Sequence, residues 1–121
     1  RNQFRVYDLN QVPEEFGGQP GSNRCLINVY NWDERWTVRV RENGRDLKVE
    51  QVWAKDPLYI LIRRDALPTR PTAFRAVANP HMFSVEASAP DTPLEVTVTD
   101  RFGRKYRQTV RRPKRFDWQT E

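Results

Sequence analysis

The 121-residue sequence is poor in the residues that most often do chemistry, with one cysteine, one histidine and one methionine. A lone Cys25 excludes an intramolecular disulfide framework and a thiolate metal site; its place in the apolar run 25–30 reads as a buried strand position. A lone His81 excludes a centre built on several imidazoles. It precedes the alternating Phe83, Val85 and Ala87, so it is expected to make structural hydrogen bonds and not to act as a base. No apolar stretch is long enough for a membrane span or for the core of a signal peptide. No apolar 3.6-residue period persists for three turns, and no internal repeat appears. Glycine-rich phosphate loops are missing, and no serine or cysteine has a base and an orienting acid beside it. The acidic pairs Glu14 with Glu15 and Asp33 with Glu34 are sequence neighbours that point apart in a strand, so they read as solvated charges and not as catalytic carboxylates.

What the chain does have is β-structure. Trp36, Val38 and Val40 alternate with Thr37, Arg39 and Arg41, the period of a strand with one buried face, and Asn43-Gly44 supplies the residues of a type I′ turn. Leu94, Val96 and Val98 alternate with Glu95, Thr97 and Thr99; Asp100 and Gly103 then take the first and fourth places of a type I turn, and Tyr106 and Val110 continue the buried face. Strands are expected at about 25–30, 36–42, 45–53, 58–63, 82–88, 94–99 and 104–111. That spacing predicts an all-β fold, a small antiparallel β-sandwich of about seven strands of immunoglobulin or fibronectin type. Residues 1–24, with Pro13, Gly17, Gly18, Pro20 and Gly21, read as an extended lead-in carrying at most one short strand near Phe4 to Tyr7. Residues 25–112 form the sandwich and 113–121 a tail. The stretch from Asp65 to Pro80, with Pro68 and Pro71, reads as a long loop or a crossing between sheets, and a helical turn near Asp56 or Asp65 is allowed.

Four tryptophans carry the remaining functional signal. Trp36 is read as core and Trp53 as closing the end of a strand. Trp32 either fills the sandwich rim or, as paired tryptophans can, offers a stacking platform for sugars; Trp118 in the tail either docks on the body or awaits a partner. The net charge of +5 is spread along the chain, densest at Arg104, Lys105, Arg107, Arg111, Arg112, Lys114 and Arg115. Without a recognition helix or a ribonucleoprotein-type aromatic motif, no nucleic-acid partner is expected.

Several strings together resemble one family: residues 7–13, from Tyr7 to Pro13; 28–32, ending in Trp32; Trp36 to Val40 with Glu42, Asn43 and Gly44; His81 to Phe83; and Val98 to Gly103 with its Asp-Arg-Phe-Gly turn. The chain is similar, over about residues 7–111, to the C-terminal domain of bacterial calcineurin-like metallophosphoesterases. The resemblance implies a parent hydrolase whose two divalent metals lie in a separate catalytic domain, since the family's metal-binding strings (Asp-x-His, Gly-Asp-x-x-Asp, Gly-Asn-His-Glu, Gly-His-x-His) do not occur here. It implies no cofactor in this chain, a catalytic domain of the same polypeptide as partner, and a periplasmic or extracellular setting. A start at Arg1 fits a piece of a longer protein. The functional expectation is therefore a non-catalytic accessory module of a phosphoester hydrolase; the alternative is a carbohydrate- or cell-surface-binding module using Trp32 or Trp118.

Overall fold

The computed structural model describes residues 3–30, 32–58, 60 and 79–116, with Asn79 and Pro80 described by their backbone alone. Eight strands lie among them: β1 (Phe4–Asp8), β2 (Arg24–Val29), β3 (Thr37–Glu42), β4 (Arg45–Asp46), β5 (Glu50–Ala54), β6 (Asn79–Glu86), β7 (Leu94–Thr99) and β8 (Lys105–Val110). They form two antiparallel four-stranded sheets, ordered β1-β2-β6-β5 and β4-β3-β7-β8. In chain order this is the immunoglobulin arrangement, A-B-E-D against C′-C-F-G.

Both sequence-read turns set the register as expected. Asn43 and Gly44 have φ of 52° and 79°, and Arg41 and Glu42 pair with Asp46 and Arg45 across them. At the other hairpin the Gly103 N–H donates to Asp100 O at 3.0 Å, Gly103 takes φ 86°, and six residue pairs follow from Thr99↔Lys105 to Leu94↔Val110. Alternation then delivers Val40, Leu94, Val96, Val98 and Val110 to the interior, where they meet Phe4, Val6, Cys25, Ile27, Val29, Phe83 and Val85 from the other sheet. Each such side chain contributes about 1.5–3 kcal/mol when taken from water.

The described residues hold eight strands because the expected elements are redistributed. The expected strand 45–53 is two: β4 pairs with β3, Leu47 N–H still donates to Val40 O, and the chain then crosses to the opposite sheet and pairs with β6 as β5. The expected strand 58–63 is overturned where it is described, since Pro57, Leu58 and Ile60 are helical. Asp56 accounts for this: its Oδ1 accepts the Leu58 N–H at 2.8 Å, its carbonyl accepts the Ile60 N–H, and Pro57 fits the first helical position, where an N–H is not needed. The remainder of 58–63, and most of the expected proline-rich loop, lie outside the described residues. β6 starts at Asn79, earlier than expected. Its Pro80 falls where the β5 pairing jumps from Val52↔Met82 to Ala54↔Asn79, a bulge that tolerates a missing ladder donor.

The first segment does more than lead in. The short strand expected near Phe4 to Tyr7 is β1, and beyond it Leu9, Val12 and Phe16 fold over the outer face of β1-β2-β6-β5 and join Tyr7, Leu26 and Met82 in a second apolar cluster. Gly18 lets that loop close on itself: a Cβ there would lie 1.6 Å from the Val12 carbonyl oxygen. Among the described residues no helix is long and apolar enough to cross a membrane.

Candidate functional site

The β2–β3 and β7–β8 connections gather at one end of the sandwich, the end that carries the binding loops in antibody variable domains. An open groove of about 450 Å³ lies there, with Gln3, the residue just before β1, on one side. Trp36 and Tyr106 form its apolar wall, and both pack partly against the core. Asp33 shapes the loop before β3, accepting the Arg35 N–H at 2.8 Å on its side chain and the Trp36 N–H at 3.0 Å on its carbonyl.

The β7–β8 turn forms the other wall. Asp100 is buried, and its carboxylate accepts the Phe102 N–H at 2.8 Å, the Arg104 N–H at 2.9 Å and the Tyr106 hydroxyl at 3.2 Å. Burial alone would raise its pKa; these donors and the Arg104 charge outweigh burial and hold the carboxyl below the usual aspartate range. The Asp-Arg-Phe-Gly string thus builds a fixed turn. Phe102 stands out of it, 68% exposed, with the guanidinium carbons of Arg101 and Arg104 at 4.8 and 5.5 Å from the ring centroid. Each arginine also keeps a long contact with a carboxylate, Arg101 with Asp33 at 3.9 Å and Arg104 with Asp100 at 3.7 Å.

Of the residues singled out from sequence, Asp33, Trp36 and Arg104 line this groove, whereas Trp32 and Trp53 do not. Trp32 is half-buried, its ring 5.8 Å from Phe83, edge-on, and 5.8 Å from His81, so both of its ring contacts are packing contacts. Trp118 lies outside the described residues. Trp36 packs on the core as expected, but Trp53 does not close its strand: it is 73% exposed, at the β5 bulge that turns it away. The basic cluster is not one surface either. Arg104, Lys105, Arg107, Arg111 and Arg115 are exposed, whereas Arg112 is buried and donates from Nη1 to Thr92 O at 2.8 Å, and Lys114 reaches the Val6 carbonyl at 2.5 Å.

Sequence reading missed Phe102 as an exposed ring, and missed two polar centres, one half-buried and one buried. Asp56 accepts the Tyr7 hydroxyl and Asn28 Nδ2, both at 2.6 Å; burial and this carboxylate together push the Tyr7 phenol far above its ordinary range. Glu42 accepts the Ser88 N–H at 3.1 Å and the Thr92 hydroxyl. Burial acts to raise its pKa, but these donors prevail and hold it below the ordinary glutamate value. The one visible signal was the Asp-Pro pair at 56–57, a helix-start signature. Burial pushes the Cys25 thiol up to about 11, the opposite of what a nucleophile needs. Among the described residues no group of three or more His, Cys, Asp or Glu is placed to hold a metal ion.

The arrangement can therefore recognise a partner through an aromatic ring and guanidinium groups, and the polar centres at Asp56 and Glu42 serve the fold. No curated protein and no solved structure matches the chain significantly. The family model described as the C terminal of calcineurin-like phosphoesterase matches residues 1–106, which span every strand but the last few residues of β8. The chain belongs to that family, the C-terminal domains of calcineurin-like phosphoesterases.

Proposed function

We propose that this chain is a non-catalytic accessory domain that packs on the phosphoesterase domain of a longer polypeptide and assists it. The observation that carries the reading is the family match over residues 1–106, whose description sets the domain behind a phosphoesterase. The chemistry of the chain agrees with it: Asp56, Glu42 and Asp100 spend their oxygens on backbone and side-chain donors that hold loops in place. Under this proposal the two divalent metals of the parent enzyme are bound by the other domain, and the parent acts in the periplasm or at the cell surface.

The test compares the 121-residue chain with the full natural polypeptide on p-nitrophenyl phosphate and bis(p-nitrophenyl) phosphate, with manganese or zinc added. Hydrolysis by the full polypeptide alone is the expected result. Metal-dependent turnover by the 121-residue chain would overturn the proposal, as would a natural polypeptide that ends upstream without a phosphoesterase domain.

A further inference from the structure

The two sheets are covered unequally. The second apolar cluster roofs the outer face of β1-β2-β6-β5. The outer face of β3, β7 and β8 has no such cover among the described residues, and its rows run Thr37–Thr99–Lys105, Arg39–Thr97–Arg107 and Arg41–Glu95–Thr109. Within these rows Arg39, Arg41, Lys105 and Arg107 stand against a single acid, Glu95, with Asp46 at the rim engaged by Arg39 at 2.6 Å. The first row ends at the β7–β8 turn, where Phe102 stands in water between Arg101 and Arg104.

An exposed phenyl ring held by a turn this firmly braced is already in a binding-competent position, so little ordering entropy is lost when it is covered. Phenylalanine and arginine are also among the residue types enriched at protein–protein interfaces relative to the rest of the surface. We propose that the β7–β8 tip, with Phe102 as its anchor, seats this domain on the phosphoesterase domain, entering an apolar socket whose rim carries carboxylates. This rests on the reading that such a domain is joined to the chain. Covalent linkage makes that domain the partner at the highest effective concentration, and the guanidiniums of Arg101 and Arg104 beside Phe102, whose own carboxylate contacts are long, favour an acidic rim.

The experiment is hydrogen exchange on the peptide spanning 99–106, in the 121-residue chain and in the full natural polypeptide. Backbone amides of the tip should exchange about tenfold more slowly in the full polypeptide, and Phe102→Ala there should return them to the rate of the 121-residue chain. The melting temperature of the 121-residue chain should be unchanged by Phe102→Ala, since the ring lies outside the core. Equal exchange in both forms would overturn the proposal, and so would protection centred on β5 around Trp53. Protection that appears in the 121-residue chain only as its concentration rises would assign the tip to self-association and overturn it as well. Failure of the underlying reading shows separately, as a full polypeptide that lacks phosphoesterase activity whatever its exchange pattern.

Discussion

At the scale of single residues, backbone geometry and burial make the sharpest demands. Gly103 has φ 86°, yet nothing lies within 4 Å of where its Cβ would be, so any cost of replacing it is backbone strain and not a clash. Gly103→Val should therefore weaken the domain by about 1–3 kcal/mol in urea unfolding, and an unchanged midpoint would mean that the turn relaxes freely. Cys25 makes a complementary demand. Its side chain is wholly buried between the sheets and its thiol is pushed up to about 11, so almost no thiolate exists at neutral pH. Ellman's reagent at pH 8 should label Cys25 only as fast as the domain opens, with labelling complete once the chain is unfolded in guanidinium.

At the scale of elements, whatever followed from local periodicity and turn chemistry was legible in the sequence. β2, β3, β7 and β8 appear where alternation and the Asn43-Gly44 and Asp100 to Gly103 turns put them. The parting of β4 from β5 was hidden, because an apolar alternation looks the same whether its strand stays in one sheet or passes to the other. The apolar residues Leu58 and Ile60 read as a strand for a related reason: a short apolar run has no period long enough to choose. Asp56 makes the choice, through a cap and through partners 49 and 28 residues away in sequence that no local pattern reveals. Asp56→Ala should cost about 2–3 kcal/mol, since it removes the cap and leaves the Tyr7 hydroxyl and the Asn28 amide unpaired. Asp56→Asn keeps an acceptor and should recover part of that loss. Equal midpoints for Asp56→Ala and the parent chain in chemical denaturation would show that the cap is dispensable. Exposure was equally illegible, because Phe102 and Trp53 have the same composition signal as the buried Phe83 and only their positions at a turn and a bulge set them apart.

At the scale of the whole molecule, two carboxylates tie the ends of the β4-β3-β7-β8 sheet. Asp100 braces the end that carries Phe102, and Glu42, the last residue of β3, gathers Ser88 and Thr92 at the opposite end, where the buried Arg112 also donates to Thr92. Both carboxyls are held below their ordinary values by their donors. The unfolded chain therefore takes up protons at a higher pH than the folded one, so stability is fully present above the ordinary carboxylate range, at about pH 4, and is lost as pH falls toward the lower folded-state values. Calorimetric scans should show a melting temperature that is level near neutrality and falls below about pH 5. Glu42→Gln should melt lower at pH 7, by on the order of 5 °C, because an amide accepts more weakly than a carboxylate. It should also fall less steeply in acid, because one of the carboxyls with a lowered folded-state pKa is gone. If the variant and the parent chain lose stability in parallel from pH 6 to pH 3, Glu42 is not part of the acid response and its buried contacts act only as neutral hydrogen bonds.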